Sequence, residues 1–332
     1  MSIVVQKYGG TSVATKENLE KICEKIIAYA SKKIKLVIVV SAQGKTTDHL
    51  IAKANDYSNA PNKRDLDLLL TTGEIQTASL LSMMLNERGY DSVSLTGYQA
   101  GILSDSTYGN ANIKHIYTEN ILNYLNSGYI VVVAGFQAID KLGNITTLGR
   151  GGSDLSAVAI ASALKANKCE IYSDIDGIYS ADPRIISKAK LLKKISYNEM
   201  LEAASAGAKV LHNRSVNVGK KYQMPIYVKN AVKNSNGSLV TDDSLENPDV
   251  IENKNIKFIT KKEDIAKICI VGDMIMSNKK AITKIFSLAD EENVTIYMIS
   301  FSELALNIII DKDKSESFMK KLHSILIEEE TK

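Results

Sequence analysis

The stretch Ile3-Val4-Val5-Gln6-Lys7-Tyr8-Gly9-Gly10-Thr11-Ser12 begins with an apolar run and continues into two adjacent glycines. Residues 16–31 follow with apolar side chains at helical spacing, and Leu36-Val37-Ile38-Val39-Val40 is a second apolar run. An apolar run, an amphipathic helix and another apolar run are typical of two parallel strands joined by a crossover helix. This opening therefore predicts an α/β fold.

The same alternation continues along the chain. Strands are predicted at 92–95, 129–134, 170–172 and 226–228, and helices near 74–88, near 113–126 and from about 154 to 165. The run Tyr129-Ile130-Val131-Val132-Val133-Ala134 is apolar throughout, as in strands that are buried on both faces. These elements predict one large α/β domain.

The character of the chain changes after about residue 230. Polar, turn-forming residues predict a linker over 233–254, between a large domain over 1–232 and a small domain over 255–330. In the small domain we expect strands at 256–260, 266–271, 294–299 and 304–310 and helices at 280–292 and 314–328. This order predicts a small α+β module.

The composition is that of an ordinary globular protein. The 332 residues carry a formal net charge of +3, and 24% are charged while 45% are hydrophobic. This balance favours neither nucleic acid nor a membrane as a partner. Cys23, Cys169 and Cys269 lie far apart in apolar segments, so we expect reduced core cysteines in a cytoplasmic protein. No apolar run approaches the roughly 20 residues of a membrane span, and no leader sequence is expected.

Two glycine-rich segments could bind anionic ligands. Lys7-Tyr8-Gly9-Gly10-Thr11-Ser12 lies between a strand and a helix, where backbone amides and Lys7 would cradle a phosphate; an ordinary strand-to-helix turn is the alternative. In Gly149-Arg150-Gly151-Gly152-Ser153-Asp154, Arg150 could hold a carboxylate in a bidentate fork. Asp154 is there either a helix cap or a catalytic organiser.

A third polar segment follows the strand predicted at 170–172. It reads Ser173-Asp174-Ile175-Asp176-Gly177-Ile178-Tyr179-Ser180-Ala181-Asp182-Pro183-Arg184, and it lacks the twelfth-position Glu of a calcium-binding EF-hand loop. The segment is either a polar surface loop or a nucleotide site, with Tyr179 near the base and Arg184 near the phosphates. The acidic residues alone do not decide between these two.

Taken together, the segments resemble the aspartate kinases of the amino acid kinase superfamily over residues 1–240. The resemblance rests on motifs that occur in the same order: Lys7 to Ser12, Ser41-Ala42-Gln43-Gly44-Lys45-Thr46-Thr47-Asp48, Thr72-Gly73-Glu74, Leu95-Thr96-Gly97-Tyr98-Gln99-Ala100-Gly101, Gly135-Phe136-Gln137, Thr146 to Asp154, and Asp182-Pro183-Arg184. It implies the amino acid kinase fold, in which helices sandwich a mainly parallel central sheet, and a small ACT-type α+β domain after it.

The resemblance also implies a reaction: transfer of the γ-phosphoryl group of ATP, with Mg²⁺, to the side-chain carboxylate of L-aspartate. Lys7 and Asp154 would be catalytic, with Lys7 contacting the transferring phosphoryl group and Asp154 orienting Lys7. Thr47, Glu74 and Arg150 would hold aspartate. Without the resemblance, Glu74 would be interpreted as a helix-capping carboxylate. The other implied contacts are Tyr8, Gly9, Gly10, Ser173, Asp174, Tyr179, Arg184, Lys209 and Val210 for ATP, and Ser41, Gly151, Gly152 and Ser153 for aspartate; no side-chain metal ligand is expected.

The sequence departs from aspartate kinases mainly after the linker. Such enzymes carry two ACT-type modules, one inserted in the other, whereas residues 255–330 resemble only the second. Asn213 stands where a proline is usual, and Lys279-Lys280 stands where Pro-Gly is usual. We therefore expect feedback control to be weak or absent and the remaining module to form a homodimer.

Two other functions remain open at this point. One is a binding or regulatory protein that keeps the fold without catalysis, and the other is a kinase for another small acidic metabolite. The joint presence of Lys7, Glu74, Arg150 and Asp154 argues against the first. Turnover of aspartate would separate the predicted enzyme from both.

Overall fold

The computed structural model describes residues 2–208, 210–233, 235–242, 259–272, 278–302 and 304–328. The chain forms two compact units. The large unit contains Met1–Ala204 and Ala208–Thr260, and the small unit contains Ser205–Gly207 and Lys261–Lys332.

The large unit is built on a central sheet with the strand order β10-β12-β11-β9-β1-β2-β6-β3. All its neighbouring strands are parallel except the β11–β12 pair, which is antiparallel. A smaller sheet of the same unit has the order β5-β4-β7-β8. The strands are β1 (Ile3–Tyr8), β2 (Lys35–Val40), β3 (Ser92–Leu95), β4 (Ile102–Ser104), β5 (Ile113–Ile116), β6 (Ile130–Ala134), β7 (Gln137–Ile139), β8 (Ile145–Thr147), β9 (Lys168–Ser173), β10 (Lys194–Ser196), β11 (Ile226–Asn230) and β12 (Ser238–Thr241).

Helices cover both faces of the central sheet. They are α1 (Lys16–Ala30), α2 (Thr46–Tyr57), α3 (Lys63–Glu87), α4 (Glu119–Asn126), α5 (Gly152–Ala163), α6 (Tyr197–Ser205) and α7 (Asn213–Tyr222). Apolar side chains of α1 and α3 pack into one buried cluster on the sheet, and those of α4 to α7 pack into another. This arrangement confirms the predicted α/β fold with a mainly parallel central sheet.

Strand β12 lies inside the segment predicted as the linker, 233–254. It pairs with both β10 and β11, so the large unit continues past residue 232. The turn-forming residues Asn236 and Gly237, which suggested a linker, lie at the end of the 231–237 connection between the antiparallel strands β11 and β12, where Gly237 has φ 69°. The domain bounds drawn from the sequence otherwise stay a prediction.

Two helix predictions in the large unit were wrong in extent. Residues 113–116, predicted as the first turn of a helix, form β5 and pair antiparallel with β4, because Ile113 and Ile116 fit a strand as well as a helix. Helix α3 begins at Lys63 and not near residue 74. Gly73 suggested a boundary, but it lies within the helix, where a Cβ would come within 2.8 Å of the Ala42 Cβ.

Helix α3 is long and apolar enough to cross a membrane by length and composition alone. Half of its apolar window is buried inside the unit, and the acidic side chains Asp67 and Glu74 are among the buried ones. It packs Ala78, Leu81 and Leu85 into the cluster shared with α1. These contacts identify α3 as a core helix of the large unit.

The small unit carries a separate antiparallel sheet with the order β13-β15-β14 and two helices on one face. The elements are β13 (Ile265–Val271), α8 (Lys279–Glu291), β14 (Met298–Phe301), β15 (Ala305–Asp311) and α9 (Ser315–His323), the last flanked by a 3₁₀ turn (Lys312–Lys314) and a π-helical turn (Ser324–Glu328). The strand predicted at 256–260 lies mostly outside the described residues. The prediction at 294–299 was wrong in its bounds, since that strand begins at Met298.

The cysteine prediction was partly wrong. Cys23 and Cys169 are free and buried, as expected. Cys269 is free but exposed, because it lies on the face of β13 opposite to that of the buried Ile268.

Candidate active site

The predicted site residues gather at one edge of the central sheet. Tyr8 is in register with Val40 and with Tyr172, and Val40 is in register with Ala134, so β1, β2, β6 and β9 end side by side. The loops that follow these strands therefore meet there. The carboxyl edge of a parallel sheet is where α/β proteins bind their ligands.

The first of these loops, Gly9 to Ser12, packs against the loop that follows β2. A Cβ on Gly10 would lie 2.8 Å from the Ala42 carbonyl oxygen, and the Gly10 carbonyl accepts a hydrogen bond from the Gly44 amide at 3.0 Å. The Gly9 amide donates to the Tyr172 carbonyl at 3.2 Å, whereas the Gly10 amide has no acceptor among the described residues. Gly10, more than Gly9, thus offers an amide to an anion.

Lys7 and Asp154 form an ion pair across this edge. The Lys7 Nζ lies 2.6 Å from Asp154 Oδ1, and the two side chains are only 11% and 14% exposed. The pair therefore places a positive and a negative charge in contact at a largely buried position.

Asp154 lies in the first turn of α5, which is capped by Gly151 in the left-handed conformation (φ 71°). A side chain on Gly151 would collide with His212. The first intrahelical hydrogen bond runs from the Leu155 amide to the Gly151 carbonyl, so the amides of Ser153 and Asp154 have no acceptor within the helix. A helix N-terminus of this kind attracts anions. The sequence motif thus supplies a cationic side chain, a carboxylate and unused amides at one place.

Glu74 is the most unusual carboxylate of the site. It is 3% exposed, its Oε1 accepts a hydrogen bond from the Ala42 amide at 3.1 Å, and its Oε2 has no partner among the described residues. Burial raises the pKa of Glu74 to about 7, although the amide hydrogen bonds oppose the shift. Because Glu74 lies in the middle of α3, the helix-capping interpretation is wrong.

The other predicted aspartate contacts lie around the same edge. Ser41 donates its amide to the Tyr8 carbonyl at 3.1 Å, and Thr47 is in the first turn of α2, which buries no side chain. Arg150 is exposed, and its charge lowers the pKa of His212 while that of Asp154 raises it. Burial is the main cause of the lowered His212 pKa. Arg150, Asp154 and His212 are therefore neighbours.

Two residues that the sequence did not single out hold the loop that carries Arg150. From α3, the buried Asp67 accepts hydrogen bonds from the Thr147 amide and hydroxyl and from the Gly109 amide, all at 2.8–2.9 Å. From α7, Arg214 donates to the carbonyls of Leu148 and Ala111 and to Asn110 Oδ1. Hydrogen bonds from α3 and from α7 thus hold the 109–112 and 147–148 segments together.

The predicted nucleotide residues lie on the loop after β9 and its neighbours. Asn230 donates from Nδ2 to the Asp174 carbonyl at 3.3 Å and to Asp176 Oδ1 at 2.8 Å. Tyr179 donates its hydroxyl to Asp176 at 3.4 Å. Arg184 is 84% exposed and forms an ion pair with Asp182 at 2.7 Å, which raises the pKa of the guanidinium. Val210 is partly buried, and Lys209 lies outside the described residues.

The described part of the chain contains no cluster of three or more His, Cys, Asp or Glu side chains that could hold a metal ion. Asp154 forms an ion pair with Lys7. These donors do not form a protein-only cage for a divalent cation, which would need several oxygen ligands.

Comparison with known proteins agrees with the motifs. The family described as "Amino acid kinase family" matches residues 2–230. The aspartokinase of Geobacillus stearothermophilus is 37% identical over 393 aligned positions that cover 97% of each chain. Aspartokinase 2 of Bacillus subtilis is 44% identical over 299 positions, or 90% of this chain and 72% of the relative. In the first alignment at least 61 positions of the relative (393 − 332) have no counterpart here.

Solved structures of aspartate kinases also share the fold of this chain. The crystal structure of aspartate kinase from Synechocystis matches with a TM-score of 0.68 and 30% identity, covering 98% of this chain and 69% of that one. Aspartokinase III of Escherichia coli, in complex with aspartate and ADP, shares the fold with a TM-score of 0.76 at 23% identity. A UMP kinase from Bacillus anthracis and an isopentenyl phosphate kinase match 73% and 72% of this chain in fold, with TM-scores of 0.54 and 0.51.

Proposed function

Because this chain belongs to the amino acid kinase family as an aspartokinase, we propose that its site transfers the γ-phosphoryl group of ATP to the side-chain carboxylate of L-aspartate, giving 4-phospho-L-aspartate. The buried, half-satisfied carboxylate of Glu74 carries the proposal. A carboxylate in such a place is stable in its charged form only when a cation reaches it, and the ammonium group of an amino acid supplies that charge.

Aspartate would lie between α3 and the start of α5. Glu74 would pair with its ammonium group, Arg150 with its α-carboxylate, and Thr47 would donate a hydrogen bond. The guanidinium of Arg150 is exposed and has no hydrogen-bond or ion-pair partner among the described residues. This supports the proposed role, since bidentate binding of a carboxylate needs a guanidinium whose N–H donors are available. Ser41, Gly151, Gly152 and Ser153 line the remainder of this proposed subsite.

The phosphoryl group would be transferred at the Lys7–Asp154 pair. Aspartate is already ionised at neutral pH, so the reaction needs no general base. What it needs is alignment and stabilisation of charge on the transferring group. Lys7 would supply the charge, Asp154 would keep the Lys7 ammonium in place, and the amides of Gly10 and of the first turn of α5 would contact phosphate oxygens.

ATP would extend from this loop towards the segment after β9, where Tyr8, Ser173, Asp174, Tyr179, Arg184, Lys209 and Val210 are its proposed contacts. The relative from Escherichia coli was solved with aspartate and ADP, which supports ATP as the donor. Magnesium bound to the phosphates would neutralise part of their charge. Phosphate oxygens and water would be its main ligands, since Mg²⁺ usually keeps several waters where it binds substrate phosphates.

The positions missing from this chain bear on regulation. Another structure of the Escherichia coli enzyme contains lysine and aspartate. Here the small unit is a single module, so we propose that lysine or threonine has little effect and that the module serves mainly in a homodimer. A cytoplasmic location also stays a prediction.

Purified protein with ATP, magnesium and aspartate tests the main proposal, with hydroxylamine trapping the acyl phosphate. We expect product with aspartate, little with glutamate, and a loss of about a thousandfold or more in Lys7→Met, because that variant lacks the charge at the transferring group. An exposed lysine changed in the same way, Lys53→Met, is the matched control. ADP binding without turnover of aspartate would contradict the proposal.

A further inference from the structure

A buried cluster of charged and aromatic side chains lies directly behind the Gly9–Ser12 loop. Its centre is Glu170 on β9, which is fully buried. Glu170 Oε1 accepts hydrogen bonds from Lys168, Lys229 and Tyr29 at 2.7–2.9 Å. Its Oε2 accepts from Tyr172 at 3.1 Å and from Gln6 at 2.9 Å. Burial alone would raise the pKa of Glu170, but the two lysines hold it at about 2.

Tyr172 connects this cluster to the glycine loop. Its hydroxyl donates to Glu170, its ring stacks on that of Tyr8 with 4.8 Å between centroids and 6° between planes, and its carbonyl accepts the Gly9 amide. The position of Tyr172 therefore fixes both the side chain that precedes the glycine pair and the backbone of the first glycine.

Lys25 on α1 reaches the same tyrosine from the helix side. Its Nζ lies 4.7 Å from the centroid of the Tyr172 ring, which is a cation–π contact. The same ammonium donates to the carbonyls of Ala231 at 2.7 Å and Asn230 at 3.2 Å. Lys25 thus binds β9 and the end of β11 at once.

The two residues that Lys25 holds in turn hold the proposed nucleotide loop. The Ala231 amide donates to the Ser173 carbonyl at 2.8 Å, and Asn230 Nδ2 donates to the Asp174 carbonyl and to Asp176. A single ammonium group therefore connects the glycine loop, through Tyr172, with the 173–176 segment, through residues 230 and 231. Within the part of the chain that the structure describes, Lys25 contacts neither Glu74 nor Arg150.

We propose that Lys25 is a positioning residue for the nucleotide half of the active site, acting through Tyr172, Asn230 and Ala231. The inference rests on the proposed placement of ATP over these two loops. Lys25 touches no reacting atom. It holds the Gly9–Ser12 loop, on the phosphate side, and the 173–176 segment, on the base side, at a fixed separation. Its loss therefore weakens the binding of ATP and ADP and leaves the binding of aspartate nearly unchanged.

The test compares Lys25→Met, Lys25→Gln and Lys25→Arg with the wild-type protein. We expect Lys25→Met to raise the KM for ATP and the Kd for ADP about tenfold, since charge-assisted hydrogen bonds and a cation–π contact are lost. The KM for aspartate should stay within about twofold. Lys25→Arg should recover most of the affinity, because a guanidinium also stacks on an aromatic ring and donates to carbonyls.

Lys21→Met is the matched control, since Lys21 lies on the exposed face of the same helix. A purely structural role for Lys25 would lower Tm without selectivity, and unchanged nucleotide affinity or an equal rise of both KM values would overturn the proposal. Lys25→Gln, which keeps a neutral NH2 donor group and loses the charge, provides the same readout if Lys25→Met does not fold. ADP binding is measured by calorimetry without aspartate. A wild-type protein that binds ADP but does not phosphorylate aspartate would therefore contradict the reaction alone, while one that binds no ADP would contradict both proposals.

Discussion

Glu74 is a carboxylate whose ionisation the fold opposes and the proposed substrate favours. Its ordinary pKa is 4.5, and burial raises it to about 7. At a pH between these two pKa values, Glu74 is protonated in the folded protein and ionised in the unfolded chain. The free energy of unfolding therefore falls as the pH rises through this range. Near pH 8 the penalty is about 3 kcal/mol, and it is absent below the unfolded pKa.

We therefore expect Glu74→Gln to have a higher Tm than the wild-type protein at pH 8, without aspartate, and a similar Tm near pH 5. The same variant should raise the KM for aspartate by a hundredfold or more, because the ammonium group loses its counter-charge. In the wild-type protein the KM for aspartate should fall as the pH rises from 6 to 8, and in the variant this dependence should vanish. Glu87→Gln, at the exposed end of α3, is the control; equal pH profiles for all three proteins would refute the role of Glu74.

The motifs identified the candidate charged groups, but not all the residues that position them. Lys7, Glu74, Arg150 and Asp154 stand within segments of recognisable composition and order. Asp67, Arg214 and Lys25 do not, because their partners are backbone groups of distant segments: Lys25 and Ala231 are 206 residues apart, and Arg214 and Leu148 are 66 apart. Every residue type has a backbone carbonyl, so a side chain that binds one does not require a particular residue at the partner position.

Among the helices, α7 shows how an element outside the predicted site shapes it. It begins at Asn213, where the proline that is usual in aspartate kinases is absent, and His212 caps it by accepting from the Arg214 amide at 3.4 Å. The helix forms without the proline, and it directs the guanidinium of Arg214 to the loop that carries Arg150. The departure at Asn213 has therefore not removed the support of that loop.

Arg214→Met should raise the KM for aspartate about tenfold and leave the KM for ATP within about twofold, because the Arg150 loop loses hydrogen bonds from a charged donor. Arg214→Lys should recover little, since one ammonium cannot reproduce the fork that serves three acceptors. Steady-state kinetics with each substrate varied separately would measure both constants. Lys220→Met, on the exposed side of α7, serves as the control. A fall in the Tm of Arg214→Met with both KM values unchanged would show that the hydrogen bonds of Arg214 have no part in aspartate binding.

Element boundaries were predicted well where an apolar run fills a central strand and poorly where packing outweighs local pattern. The apolar runs at 36–40 and 129–134 match β2 and β6 to within one residue. Gly73 suggested a helix start but lies in mid-helix, since only glycine fits against Ala42. At 113–116 the pairing with β4 decided the structure. Such errors arise because close approach between segments distant in sequence is not encoded in either segment alone.

For the molecule as a whole, the shortened regulatory part is the feature with the clearest functional consequence. With a single module in place of two, we expect millimolar lysine or threonine to change the rate of product formation less than twofold. The assay is the hydroxylamine trap, run with each amino acid and with both. The control is the aspartokinase of Geobacillus stearothermophilus, which has at least 61 further aligned positions. Strong inhibition of the shorter chain at sub-millimolar lysine would show that one module is sufficient for control.

The Gly10 contact with Ala42 also bears on how such enzymes diversify. On the phosphate side, backbone packs directly on backbone, and a Cβ at residue 10 has no room at 2.8 Å from a carbonyl oxygen. On the acceptor side, Glu74 and Arg150 are side chains that project from a helix and a loop and can be replaced one at a time. Substitution could therefore alter the proposed acceptor contacts more readily than the backbone packing at Gly10. This difference between the acceptor contacts and the backbone packing at Gly10 agrees with the fold that the chain shares with a UMP kinase and an isopentenyl phosphate kinase.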